Sequence, residues 1–235
     1  MTSAASLAAI DWTAAATHLD ARGFFVCGPL LSAEACAALA SLYQEEARFR
    51  TRIVMARHGF GLGEYKYFSY PLPPPVEALR QALYRALVPL ANRWAERLRL
   101  PFRYPPELGE FLAVCRANGQ TRPTPLLLRY TEDGYNCLHQ DLYGSISFPL
   151  QATVLLSRPG SDFSGGEFLL VEQPPRAQSR GEVIPLGRGE AVIFASSERP
   201  QRGTRGDYRV KLRHGVSRIT GGERTTLGLI FHDAE

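Results

Sequence analysis

The sequence predicts an α+β fold, with helices first and then an antiparallel, jelly-roll-like β core. Three observations carry this prediction. The longest helix-period pattern lies before residue 100, where Leu79, Leu83, Leu87, Leu90, Trp94 and Leu98 recur at spacings of three or four. After Pro101 the texture changes to short apolar runs, the length of strands rather than of helices. Gly, Pro, Ser and Asp punctuate those runs where turns between strands belong.

Taken in order, Trp12–Asp20 reads as a short amphipathic helix stopped at Gly23. Gly23-Phe24-Phe25-Val26 is an apolar run and reads as a strand. Ser32 is a candidate N-cap for a helix reaching about Phe49, with Leu39, Leu42 and Tyr43 on its apolar face. Residues 53–70 combine His58, Gly59, Gly61 and Gly63 with Tyr65, Tyr67, Phe68 and Tyr70. The stretch His58–Tyr70 reads either as a lid over a site or as a loop packed on the support helices. Pro71-Leu-Pro-Pro-Pro75 ends any regular element there. Val76–Leu100 is the long helix, which Pro89 should kink or split. The strands expected next are Leu126–Tyr130, Gln151–Leu156, Glu167–Val171, Glu182–Leu186, Ala191–Phe194 and Thr225–Phe231, with turns at Gly165-Gly166 and Gly187-Arg-Gly189. No repeat or linker interrupts the chain. Residues 1–235 therefore read as one domain, mainly helical over 1–100 and with its core over 120–232.

The chain is 45% hydrophobic and 21% charged, which excludes global disorder and fibrous classes. Basic residues number 27 and acidic 23, a net charge of +4, with pI near 9.0. The charge is mostly scattered arginine, so an acidic partner is permitted but not implied. Cys27, Cys36, Cys115 and Cys137 form no close CxxC pair and read as buried free thiols in a reducing compartment. No apolar run approaches the ~20 residues that span a bilayer. Met1–Ile10 lacks the basic start of a signal peptide, so the expected location is the cytoplasm.

Histidine is scarce, which makes two settings informative. His139-Gln140-Asp141 follows an apolar strand and a loop; in an extended segment, residues two apart face the same way, so His139 and Asp141 can reach one ion. His214 opens His214-Gly-Val216 and would supply a third ligand from a distant strand. Two histidines and one carboxylate leave coordination positions open, which suits non-haem Fe(II) oxygen chemistry. A His-x-Asp also occurs by chance on surface strands. Arg224, ten residues after His214, adds a third element. Its guanidinium could hold a carboxylate bidentately, or it could be a solvated rim arginine.

In this order the residues resemble the Fe(II)- and 2-oxoglutarate-dependent oxygenases, in their prolyl-hydroxylase-like branch. Leu128-Arg-Tyr130, Ser164-Gly-Gly-Glu-Phe168, Gly189–Phe194, His214-Gly-Val216 and Gly222-x-Arg224 are similar to that family's successive elements. The likeness covers residues 120–232 closely and the N-terminal half loosely, through residues 23–42. It implies a double-stranded β-helix, cupin-like core with N-terminal supporting helices. It implies His139, Asp141 and His214 as catalytic iron ligands, and Arg224 as the partner of the distal carboxylate of 2-oxoglutarate. Tyr130 is a candidate hydroxyl donor to the same carboxylate, or a core tyrosine. The cofactors implied are Fe(II) and 2-oxoglutarate, with ascorbate as an auxiliary reductant, and the products include succinate and CO2. Asp141 stands where related halogenases have a small residue, so hydroxylation is expected rather than halogenation.

The substrate stays open among amino-acid side chains, peptides and small metabolites. The nucleic-acid dealkylase branch carries a second, later arginine, and Leu227–Phe231 offers none. That branch remains the alternative enzyme reading, and a non-catalytic jelly-roll binding protein is the alternative outside enzymes. The segment Arg199–Lys211 is either a basic patch for an anionic substrate group or a solvated loop. No membrane partner is expected, and the oligomeric state is not readable.

Overall fold

The computed structural model describes residues 7–235. Most of Met1–Ile10, on which the signal-peptide reading bears, lies outside the described residues. The helices are α1 (Trp12–Arg22), α2 (Ala33–Ser41), α3 (Pro74–Arg97) and α4 (Leu108–Ala117). The strands are β1 (Phe24–Cys27), β2 (Phe49–Val54), β3 (Gly61–Leu62), β4 (Glu64–Phe68), β5 (Leu126–Tyr130), β6 (Tyr135–His139), β7 (Leu150–Leu155), β8 (Phe163–Gly165), β9 (Phe168–Gln173), β10 (Arg180–Ile184), β11 (Ala191–Ala195), β12 (Glu198–Gly203), β13 (Gly206–Val216), β14 (Ile219–Gly222) and β15 (Arg224–Leu229). The larger sheet runs β1-β11-β7-β15-β5-β4-β2 and the smaller β10-β9-β13-β6-β3, with β12 beside β13 and a separate β14-β8 pair. The named strands pair antiparallel. The two large sheets face each other, and Phe168 of one meets Phe194 of the other at 4.8 Å between rings. This is the expected α+β fold with a jelly-roll core.

The six expected core strands are β5, β7, β9, β10, β11 and β15. Several other expectations need correction. The helix from Ser32 stops at Ser41, and two 3-10 turns lead to Phe49, which opens β2. After Tyr43 the polar stretch Gln44–Arg48 has no apolar face to bury, while Phe49 stacks on Phe68 at 4.8 Å. His58–Tyr70 is not simply a loop packed on the support helices. It carries β3 into the smaller sheet and β4 into the larger one, tying the two together. The support over 1–100 thus contains four strands. Pro89 does not split α3, which is continuous from Pro74 to Arg97. Leu87, Val88, Leu90 and Ala91 are buried on either side of the proline, and that burial offsets the one lost hydrogen bond. Helix α4 was not expected. It buries Phe111, which stacks on Tyr84 of α3 at 5.6 Å. Arg199–Lys211 is the β12–β13 hairpin rather than a loop, and Arg199 is buried against Glu172. Cys27, Cys36 and Cys115 are buried, but Cys137 is exposed. It sits where the β6–β13 register shifts, between Asn136 opposite Val216 and His139 opposite His214, and this irregularity breaks the alternation of the strand.

Helices and sheets share one contiguous apolar core. The long helix α3 is pinned to the end of β15 by Arg80, which is fully buried. It donates to the carbonyls of Ile230 and Phe231 and to the Asp233 carboxylate. No described helix is long and apolar enough to cross a membrane.

Candidate metal centre

His139 ends β6 and His214 lies near the end of β13, directly opposite it in the ladder. Their rings are 4.2 Å apart. Asp141 follows β6 by two residues, and its carboxylate lies 3.5 Å from His139 Nε2 and 3.3 Å from His214 Nε2. One ligand atom from each of the three lies within 4.8 Å of the others. His139 Nδ1 sits 2.8 Å from the Cys137 carbonyl; donating its proton there leaves the Nε2 lone pair free to face an ion. Asp141 also accepts a hydrogen bond from the Tyr143 hydroxyl. Burial alone would raise the Asp141 carboxyl, but hydrogen bonds and charge from the two imidazoles outweigh it and hold the group well below the usual range. Burial pushes the His214 imidazole down, and the charge of His139 adds to that. A carboxylate and a neutral imidazole are the forms that bind metal.

Arg224 opens β15 and stands opposite Tyr130 of β5. It is 2% exposed, and among the described residues it has no ion-pair partner and its Nε no hydrogen-bond partner. Burial lowers its guanidinium to about 10, so it stays charged at neutral pH. Gly166 makes room for it: a Cβ there would meet Arg224 Cδ at 2.9 Å. Tyr130 is fully buried and its hydroxyl accepts from Asn136. Arg218, the other arginine after His214, pairs with exposed Asp133 at the surface and does not line the cavity.

One cavity of about 320 Å³ contains the triad, Arg224 and Tyr130. Its order follows from the strand registers. At one end are Arg224, Tyr130 and Asn136. The His139–His214 pair comes next. At the other end Asp141 bonds Tyr143, whose hydroxyl accepts from Tyr67 on β4. Gln151 and Thr153 of β7, Thr226 of β15 and Tyr65 of β4 complete the wall. Tyr143, Gln151, Thr153 and Thr226 were missed as site residues in the sequence. Tyr143 had a signal, since it repeats the two-residue spacing of His139 and Asp141. Gln151 had only its polarity within an apolar run.

Comparison with known proteins follows the geometry. The family model Oxygenase-NA, described as "Oxygenase, catalysing oxidative methylation of damaged DNA", matches residues 63–234. An uncharacterized protein of Mycobacterium tuberculosis (strain ATCC 25618 / H37Rv) is 50% identical over 167 residues, covering 71% of this chain and 72% of its own. A 2OG-Fe(II) oxygenase family oxidoreductase of Burkholderia pseudomallei superposes with TM-score 0.57 at 15% identity, over 96% of this chain and 94% of that one. A prolyl-4-hydroxylase of Pseudomonas putida gives 0.56 at 16% identity, over 95% and 99%. These two likenesses establish the fold as that of the 2-oxoglutarate–Fe(II) oxygenases. With a family match over most of its length and a half-identical relative, the chain belongs to the Oxygenase-NA family of oxygenases.

Proposed function

We propose that the protein is an Fe(II)- and 2-oxoglutarate-dependent dioxygenase. It hydroxylates a C–H bond of an amino-acid side chain, a peptide or a small metabolite and releases succinate and CO2. One observation carries this reading: a buried arginine without an anionic partner opens into the cavity that also holds a two-histidine, one-carboxylate cluster. A buried unpaired cation costs several kcal/mol, so a carboxylate ligand is what its site is built for. His139, Asp141 and His214 would hold the iron, which when bound supplies oxygen activation coupled to decarboxylation of 2-oxoglutarate. Arg224 would bind the far carboxylate of 2-oxoglutarate, with the Tyr130 hydroxyl beside it. The apolar walls, Leu126, Leu128 and Ile230 among them, exclude water from the reacting groups. Four unpaired thiols suit a reducing, cytoplasmic setting.

The cavity mouth supports a small or peptide substrate. It presents Phe60 and Leu138, both more than 40% exposed, where a phosphate backbone would call for rows of Lys and Arg. Ile230, not a second arginine, lines the far end of the cavity past β15. The family description favours a second reading, dealkylation of a damaged nucleic-acid base. Succinate formation from 2-oxoglutarate with Fe(II) and ascorbate tests the activity. Stimulation by peptides or metabolites supports the first substrate class, and stimulation only by a methylated oligonucleotide replaces it with the second. No turnover under any condition leaves a non-catalytic jelly-roll binding protein.

A further inference from the structure

Gln151 is the polar side chain that the proposed chemistry leaves unused. It lies in β7 between Leu150 and Ala152, is 2% exposed, and among the described residues its Nε2 has no hydrogen-bond partner. It also lines the cavity. A buried amide N–H without an acceptor costs about 1–3 kcal/mol. In a strand otherwise packed with apolar groups, a leucine would avoid that cost. The side chain therefore belongs to a site completed by a ligand.

Its place in the register says which ligand. On β15, Thr226 pairs with Leu155 and Gly228 with Thr153, so Gln151 lies opposite the chain just beyond β15, at Ile230. Arg224 is six residues back along that strand, a span of roughly 20 Å at the usual rise. An arginine side chain and a five-carbon diacid fill the distance from Arg224 to the triad. Gln151 lies at the triad end of the cavity and is out of reach of a carboxylate held by Arg224. Its neighbour across the sheet is Phe194, whose ring is 4.7 Å from that of His214. The remaining wall at this end is Tyr67, Leu126 and Ile230, with Tyr65 one step back toward Arg224. Tyr65 and Tyr67 meet edge to face at 5.4 Å, which gives this side an aromatic wall. Among the described residues, Arg224 is the one lysine or arginine lining the cavity, and it sits at the other end. At the Gln151 end the nearest guanidinium, Arg50, is stacked on the Tyr67 ring at 4.4 Å and does not line the cavity, and Asp141 repels an anion.

We propose that the cavity end opposite Arg224 is the subsite for the oxidised substrate, and that Gln151 sets its specificity by donating its side-chain N–H to a neutral amide- or lactam-type carbonyl. The substrate body packs on the Tyr65–Tyr67 face and Leu126. This rests on the oxygenase reading and goes beyond it by naming the substrate's polar group.

The test uses the full chain loaded with Zn(II) in place of iron and with 2-oxoglutarate, and follows the Gln151 side-chain amide resonances by NMR. The probe is 2-pyrrolidone, a five-membered lactam. The expected result is a saturable shift of the Gln151 N–H signals with 2-pyrrolidone and none with pyrrolidine, the same ring without the carbonyl. Gln151→Met should weaken 2-pyrrolidone binding about fivefold, the worth of one hydrogen bond. The wild-type resonance stands as a readout even where the variant folds poorly. If 2-oxoglutarate alone moves the Gln151 signals, or 2-pyrrolidone leaves them in place, the subsite assignment is overturned. Absence of 2-oxoglutarate turnover in the wild-type iron protein would instead overturn the oxygenase reading beneath it.

Discussion

Arg224 and Tyr130 face each other across the β15–β5 ladder, with the guanidinium carbon 5.8 Å from the phenol ring centroid. The ring and that of Phe163, at 5.9 Å, offer only cation–π contact. Neither supplies the negative charge that a buried guanidinium lacks. Arg224→Ala should therefore raise the apparent KM for 2-oxoglutarate about 100-fold, corresponding to ~3 kcal/mol for removing one partner of a buried pair. Metal affinity, measured by titration calorimetry with Mn(II), should stay near the parent value, because Arg224 is not among the clustered ligand atoms. Arg218→Ala, at the surface ion pair with Asp133, is the control and should change KM little. If the two variants exchange these phenotypes, Arg224 is not the cosubstrate anchor.

Tyr143 acts on the proposed metal site through Asp141. Its hydroxyl donates to the carboxylate and in turn accepts from Tyr67 at 3.1 Å. Partners of this kind orient a ligand, and losing one typically weakens metal binding 10–100-fold. Tyr143→Phe should lower Mn(II) affinity by about tenfold while far-UV circular dichroism is unchanged. His214→Ala, which removes a donor atom, should abolish measurable binding and turnover. Equal metal affinity in Tyr143→Phe and the parent would mean that the hydroxyl has no part in holding Asp141.

The site was more legible in the sequence than its surroundings. His139 and Asp141 share a face because a strand has period two, and that period is visible without any structure. The chain before Arg224 also carries a turn signal, Gly221-Gly222. Strand β13 escaped notice although its pattern is regular: Val210, Leu212 and His214 are buried and alternate with exposed Lys211 and Arg213. A search for apolar runs passes over such a strand, because four of its eleven residues are charged. Strands β3 and β4 were hidden by composition, since glycines and tyrosines read as loop until β6 and β5 supply partners. Gln151 was illegible for a different reason. A polar residue in an apolar strand can face a cavity or solvent, and only the register decides.

Arg80 and Asp233 make a buried ion pair at 3.0 Å, with side chains 0% and 1% exposed. The Tyr70 hydroxyl accepts from Arg80 and donates to Asp233, which closes the network. Removing Arg80 leaves a buried carboxylate without its cation, at a cost of about 3–5 kcal/mol. Arg80→Met should lower the Tm by roughly 10 °C in a chain of this size. Adding Asp233→Asn should recover part of that loss, because the second change removes the unpaired charge. A double variant no more stable than Arg80→Met would show that packing, not charge, accounts for the loss.

His232 gives the fold a pH dependence separable from the metal ligands. It is fully buried, and its Nδ1 accepts from the Phe148 backbone N–H at 3.2 Å, so the folded chain holds it neutral. Burial pushes its imidazole down to about 4, and the charge of Arg80 acts in the same direction. The unfolded chain protonates this residue near pH ~6.5. Above that pH neither state takes up the proton and stability is unaffected. As pH falls through 6.5 the unfolded state gains a proton that the folded state refuses, so stability declines until the folded imidazole titrates near 4. At pH 5 the deficit should reach about 2 kcal/mol, or roughly 4–8 °C in Tm for a chain of this length. His232→Asn keeps an acceptor for the Phe148 N–H and removes the titrating ring. Its Tm should therefore fall less than the parent's between pH 7 and pH 5, by about that difference. Parallel Tm profiles for the two proteins would show that His232 does not carry the acid sensitivity.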